Sequence, residues 1–372
     1  MELQVIRFED IPFNVPLPWH VYDRDEVLLL RKGDIVYSRH QLDDLRVDGL
    51  FIPKHDKDEP PPPEPPKQSP FSLLNNLPGA VERLFGRMSA EPNFKGRTLT
   101  VAKTVQEACA IDHDASLGWL FLGPECRYVI GHPIRTAIVC ELVGLQLGWP
   151  EEERQSLLCA ALSMNIGQLV LQHKLHGQKE PLAPKQREDV QRHCEDSHEL
   201  LQKLEVTDAT WLETVLQHHE RLDGSGYPRA LAGDAISPGT RLLAVADIYC
   251  ALVAEHAHRR ALLPNGALKE LYLQRGKALD GAMVEQFIKV AGVYPPGTLV
   301  RLANGELAVV TRHGEAATAP IVHSVVSARG AALNVYPKRE CSDPQYAIKE
   351  VLSHARANAT INHKPGLWGY KQ

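Results

Sequence analysis

The sequence predicts a mainly α-helical protein carrying a small β-rich unit at each end. Three observations predict it. Apolar residues recur at helical spacing from Phe71 to about Ala291, a two-residue alternation occupies the stretches before residue 53 and after Tyr294, and a charged proline-rich segment separates the first unit from the rest. The chain has 372 residues, more than the about 100–200 of one domain, so several folded units are expected. The boundaries are 1–52 for the N-terminal β-rich unit, 53–70 for the linker, 71–291 for the helical domain, 292–340 for a β-barrel-like appendage and 341–372 for a tail.

In the first unit, HVYDRDEVLLLRKGDIV reads as two strands joined by a turn at Asp23 to Asp25, and SRHQLDDLRVDGLFI as a short helix followed by a strand. Leu28, Leu30 and Ile35 are its candidate core. The linker DKDEPPPPEPPKQSP has nothing to bury and favours an extended spacer; its P-x-x-P from Pro60 to Pro63 is weak evidence for a partner.

Within the helical region, Pro133 suits the first turn of a helix with the stripe Ile134, Ile138, Leu142 and Leu145, closed by Gly148 and Pro150. A helix from about Pro184 to Leu204 carries Val190, His193, Cys194, Ser197, Leu201 and Leu204 on one face, which turns His193 inward. Thr207 is the expected cap of the next helix, which leads into His218 and His219 and ends at Asp223-Gly224. After Pro238, Leu243, Ala246, Asp247, Cys250 and Ala254 share a face, and a carboxylate there needs a cation or hydrogen bonds to offset its burial. Beyond Tyr294, TLVRL-ANG-ELAVVTR is a hairpin, followed by PIVHSVVS and ALNVYP.

A net charge of -5, from 41 basic and 46 acidic residues, supplies no reason to expect DNA or an anionic membrane as partner. No uninterrupted apolar run approaches the length of a membrane span, and the N-terminus lacks a signal-peptide pattern, so the cytoplasm is the expected location. The seven scattered cysteines form no C-x-x-C pair and are expected to be reduced and mostly buried.

His132, His193, His218, His219 and Asp247 offer a metal-ligand set suited to iron, manganese or zinc, drawn from several helices. Taken singly, each has a plainer reading: a hydrogen-bonded core histidine, a helix end, or an Asp247 paired with a buried arginine such as Arg135. The run HHERLDGSGYP (218–228), with His132-x-x-Arg135 upstream and AVADIYCAL (244–252) downstream, strongly resembles the HD-GYP family of bacterial cyclic di-GMP phosphodiesterases, over about residues 131 to 291. The resemblance implies an all-helical bundle and two or three metal ions, usually iron or manganese, that activate water for attack on a phosphodiester. It assigns His132, His193, His218, His219 and Asp247 as metal ligands, Arg259 and Arg135 as substrate-binding, and Asp223, Gly224, Gly226, Tyr227 and Pro228 as the GYP loop.

The departures lie in one place. Where the family has His-Asp followed by Ile-Gly-Lys, this chain reads Met164-Asn165-Ile166-Gly167-Gln168, losing an imidazole, a bridging carboxylate and a lysine expected near the substrate phosphate. Tyr128 stands where some three-metal members have glutamate, and Cys250, Ala254 and His256 replace the usual Asp, Ser and Arg. A neutral amide neither offsets the repulsion of two dications nor fixes a shared hydroxide, so weak or absent hydrolysis is expected. The expected function is a catalytically impaired binding or interaction module of cyclic di-GMP signalling, holding at most one divalent metal, iron or manganese before zinc. Cyclic di-GMP, and signalling proteins bound through an exposed GYP loop, are the expected partners. The alternatives are an active phosphodiesterase with a replacement ligand such as Glu220 or His173, and a metal-free helical scaffold.

Overall fold

The structure, a computed structural model, describes residues 3–6, 11, 16–34, 36, 51–53, 68–88, 91, 93–353, 361 and 364–370. The chain divides into two compact units, Met1–Lys67 and Gln68–Gln372. The first holds an antiparallel sheet in the order β1-β4-β2-β3, from β1 (Leu3–Val5), β2 (Val21–Tyr22), β3 (Leu28–Leu30) and β4 (Phe51–Pro53). The Asp23 carboxylate accepts from the Asp25 and Val27 amides at 2.9 and 2.8 Å, which makes the expected turn between β2 and β3. Its core is Ile6, Ile11, Leu17, Val21, Val36 and Ile52. Leu30 is partly buried against that core, but Leu28 is exposed; the pairing of β2 with β3 shifts register between Val21 and Tyr22. Ile35, the short helix expected before β4, and most of the proline-rich linker lie outside the described residues.

The second unit is built on α1 (Pro70–Leu74), α2 (Leu77–Gly86), α3 (Phe94–Ile111), α4 (His113–Leu122), α5 (Tyr128–Gln146), α6 (Glu151–Ser163), α7 (Leu169–His176), α8 (Pro184–Lys203), α9 (Ala209–Gln217), α10 (Pro238–Leu252), α11 (Pro264–Gln274) and α12 (Gly281–Ala291). α5 is the central element, packed by α3, α6, α10 and α12. It begins at Tyr128, five residues before Pro133, so the proline lies inside the helix rather than in its first turn. Packing on nearly every side of α5 outweighs the one backbone hydrogen bond that a proline removes. By length and mean hydropathy α5 could also cross a membrane, although Arg135 and Glu141 interrupt its apolar run; 83% of that window is buried in the core. α9 is capped by Asp208 rather than Thr207: its carboxylate accepts from the Trp211 amide at 3.0 Å and from the Ser156 hydroxyl at 2.6 Å, two bonds that fasten α9 to α6.

The C-terminal strands β5 (Leu299–Leu302), β6 (Leu307–Arg312), β7 (Ile321–Val326), β8 (Lys338–Glu340) and β9 (Ile348–Leu352) form an antiparallel sheet in the order β8-β7-β6-β5-β9. The ALNVYP stretch precedes β8 instead of forming it, and β9 comes from residues the sequence reading left as tail, because β5 offers it a free edge. Alternation splits the sheet's side chains. Leu299, Val309 and Val325 join the helical core, while Val300, Leu302, Ala308, Val310 and Val322 form a second cluster.

One residue fastens sheet to bundle. The Asp112 carboxylate caps α4 through the Ala115 amide at 3.0 Å, accepts two bonds from the Arg312 guanidinium at 2.6 and 2.5 Å, and accepts from the Tyr370 hydroxyl at 3.0 Å. Burial alone would raise its pKa, but the Arg312 bonds, the Ala115 amide and Tyr370 outweigh burial and hold it below the ordinary carboxylate range. The Trp368 ring closes over Gly118, where a Cβ would lie 2.6 Å from it, and Trp368 Nε1 donates to the Thr311 carbonyl at 2.9 Å. Arg312→Ala should therefore lower the unfolding free energy by about 2–3 kcal/mol, the cost of leaving a mostly buried carboxylate without its cation. Because the folded carboxyl is depressed, that deficit is full above about pH 4 and shrinks as Asp112 is protonated at lower pH, which urea unfolding of both proteins across pH 3–7 measures.

Candidate functional site

The histidines converge where α8, α9 and α10 meet. His193 lies two and a half turns into α8, and its Nδ1–H donates to the Val190 carbonyl. His218 terminates α9, and its Nδ1–H donates to the Val215 carbonyl at 2.7 Å. Those bonds set both tautomers: in each neutral ring the remaining lone pair is on Nε2. The two Nε2 atoms face one another at 3.1 Å. Burial lowers the pKa of His193; burial and then His193 press His218 down to about 3, so neither ring holds a second proton at neutral pH. Two acceptors in contact with no proton between them repel, and a cation that both can ligate removes the conflict.

His219 completes the group. Its ring is 4.2 Å from that of His218 and 5.0 Å from that of His193, centre to centre. The ligand atoms of His193, His218, His219 and Cys194 all lie within 4.8 Å of one another. Cys194, next to His193 on α8, was named in the sequence only as a residue of an apolar face; nothing in the spacing marks it, because its approach to His218 depends on how α9 docks. Three neutral imidazoles with converging atoms suit one divalent cation.

The other expected ligands are differently engaged. His132 Nε2–H donates to the Asp247 carboxylate at 2.8 Å, so Asp247 is paired with His132 rather than with Arg135. Burial would raise the Asp247 carboxyl, but the His132 bond and charge, with His219 and His218 nearby, carry it below the ordinary carboxylate range. His132 Nδ1 is left buried without a hydrogen-bond partner, and the His132 ring stacks on Tyr128 at 4.8 Å. Tyr128 stacks in turn on His176 at 4.7 Å, and His256 tilts against it at 5.0 Å, so aromatic rings fill the space beside His132.

The substituted segment follows α6. Met164 is fully buried in the main core, and the Asn165 Oδ1 accepts from the Gln168 amide at 2.8 Å, one neutral side chain satisfying the other. Gly167 presses this turn against α8: its amide donates to Ser197 Oγ at 3.0 Å, and a Cβ would meet the Ser197 nitrogen at 2.6 Å. Glu220 is no spare ligand, since its two oxygens accept from the Arg229 and Leu231 amides at 2.7 and 2.9 Å, and His173 is exposed on α7.

The GYP loop lies at the surface, with Asp223 and Ser225 exposed and Gly226, Tyr227 and Pro228 half-buried. The Asp223 carboxylate accepts from the Ser225 amide and hydroxyl at 3.0 and 2.6 Å; Gly224 has φ of +75°. A Cβ on Gly226 would meet the Arg221 nitrogen at 2.4 Å, so the loop must cross its own backbone there. Tyr227, whose peptide bond to Pro228 is cis, donates its amide to the His219 carbonyl at 3.2 Å and lays its ring 4.8 Å from the His219 ring. Arg259 is spent on the end of α10, donating to the Ala251 and Leu252 carbonyls at 2.7 and 3.1 Å; Arg135 donates to the Leu120 carbonyl at 2.9 Å. A separate cleft is lined by Tyr128, Gln168, His176, Val190, His256 and His258, and none of His193, His218 and His219 lines it.

Residues 121–283 match the family model described as an HD domain. A cyclic di-GMP phosphodiesterase of Pseudomonas aeruginosa is 29% identical over 217 residues, 58% of this chain and 52% of that protein. A 3'3'-cGAMP-specific phosphodiesterase of Vibrio cholerae is 33% identical over 168 residues, 45% of this chain and 36% of that protein. The chain spans about half the length, or less, of these curated relatives. Among solved structures, an HDG"Y"P protein of Bdellovibrio bacteriovorus aligns over 78% of this chain and 99% of its own, with 14% identity and a TM-score of 0.49.

Two outcomes follow from this geometry. Glu220→Ala should cost about 2–4 kcal/mol and open the 223–231 loop to proteolysis, since two loop amides lose their acceptor. Chelator-treated protein should lose stability as pH falls from about 6.5 toward 3, by a few kcal/mol, because the unfolded imidazole takes a proton throughout that window while folded His218 does not. His218→Gln should flatten the slope in a pH series of thermal melts.

Proposed function

We propose, on the premise that this chain carries an HD domain of the HD-GYP family, that it is a non-hydrolytic member: a single-metal module that binds a cyclic dinucleotide without cleaving it. The observation that carries this reading is the Asn165–Gln168 pair. An aspartate and lysine at those positions would supply a bridging anion and a cation for phosphate; two amides bonded to each other at 2.8 Å supply neither. Met164 lies in the core and offers no ligand atom that rivals an imidazole.

Among the described residues, the groups free to hold an ion are His193, His218 and His219, with Cys194 beside them. A bound divalent ion would supply Lewis acidity. Of the nearby carboxylates among the described residues, Asp247 is bonded to His132 through one oxygen, and Glu220 to two backbone amides through both. Without a bridging anion, two dications at about 3.5–4 Å are not held together. The cleft lined by Tyr128, Gln168, His176 and His256 supports a nucleotide-binding reading, with flat rings and amides for a base and few cations for phosphate.

Metal-loaded protein incubated with cyclic di-GMP or 3'3'-cGAMP should release linear dinucleotide no faster than a His219→Ala control. The combined change Met164→His, Asn165→Asp and Gln168→Lys should raise that rate by about 10³-fold or more, since groups that act as a unit fail and recover together. Product from the parent that the control lacks would identify an active phosphodiesterase; absence of both bound metal and bound dinucleotide would leave a scaffold.

A further inference from the structure

We infer that the metal is held by four protein ligands, the imidazoles of His193, His218 and His219 and the thiolate of Cys194, in a closed centre of the zinc class. The inference rests on the single-metal reading and adds a ligand, a metal preference and a coordination number to it. Cys194 is fully buried, and its Sγ lies 3.7 Å from His193 Nε2 and 3.8 Å from His218 Nδ1. With zinc bonds of about 2.0–2.1 Å to nitrogen and 2.3 Å to sulfur, a tetrahedron sets ligand nitrogens about 3.4 Å apart and sulfur about 3.6 Å from nitrogen. The observed 3.1 Å between Nε2 atoms and 3.7 Å from sulfur to His193 Nε2 lie close to those edges.

Other buried cysteines of this chain, such as Cys140 and Cys159, belong to the main apolar core and behave as small hydrophobes. Cys194 differs in its neighbours. Among the described residues, the group around it is the one in which His, Cys, Asp or Glu atoms gather within 4.8 Å, while Asp247 is bonded to His132 through one oxygen and both Glu220 oxygens are bonded to backbone amides. A thiolate among imidazoles selects zinc over manganese or ferrous iron, which favour oxygen-richer shells. Binding displaces the thiol proton to solvent and forms the metal–sulfur bond, so uptake releases one proton per ion. With four protein ligands, no position is left for the activated water that hydrolysis requires.

The test is anaerobic titration of the full chain, stripped by chelator, with cobalt(II), followed by absorption spectroscopy and by competition with zinc against a chromophoric chelator. The expected result is one cobalt per chain, intense visible bands of four-coordinate cobalt and a near-ultraviolet thiolate-to-cobalt band. That last band vanishes in Cys194→Ser, persists in Cys126→Ser, and zinc affinity falls at least tenfold in Cys194→Ser. Cobalt bound with weak visible bands and no thiolate band would overturn the inference and leave the histidine centre standing. No cobalt bound by the parent would overturn both readings, and the parent spectrum decides the matter even where a variant fails to fold.

Discussion

The site depends on two nitrogen lone pairs that face each other at 3.1 Å. Each imidazole donates its other N–H to a carbonyl of its own helix, Val190 for His193 and Val215 for His218. The helices thereby set the tautomers, and burial keeps the rings neutral. Apposed acceptors in a dry interior are a cost that packing alone does not remove. The same arrangement is how metal-binding histidines are commonly held, with the outer nitrogen bonded and the inner one aimed.

Around this point close backbone contacts at glycines hold the bundle together. Gly167 still lets the turn after α6 press on α8, and Gly226 still lets the loop after α9 cross its own backbone. Glu220 still ties that loop down, and Tyr227 still covers His219. Between α6 and α7, Asn165 and Gln168 satisfy each other. Asp247 accepts a hydrogen bond from His132 at one of its oxygens. Tyr128, His176 and His256 fill the neighbouring space with aromatic surface. The close backbone contacts leave no room for a side chain, and the Asn165–Gln168 pair satisfies its own polar groups.

The C-terminal sheet is joined to the bundle through both apolar burial and a polar anchor. Leu299, Val309 and Val325 enter the helical core, and Asp112 ties Arg312 and Tyr370 to the junction of α3 and α4. A carboxylate that caps a helix, pairs a guanidinium and accepts a phenol satisfies three elements with one buried charge, which its lowered pKa reflects. Trp368, packed on Gly118, makes the chain's last described segment part of this joint.

By itself the sequence determined the helical class, the two flanking β units, the inward turn of His193 and the grouping of His193, His218 and His219, because periodicity and a long punctuated motif carry that information within short windows. Only the tertiary structure decided the partners. Cys194 joins the histidines because α9 docks on α8, His132 takes Asp247 because α5 and α10 pack side by side, and Arg259 closes α10 instead of facing the cleft. Asp208 displaced Thr207 as the cap because only it reaches Ser156 on α6 as well as the Trp211 amide. Strand β9, read from sequence as tail, exists because β5 leaves an edge to pair. Each of these is a contact between residues far apart in the chain, whose free energy depends on packing that local pattern does not encode.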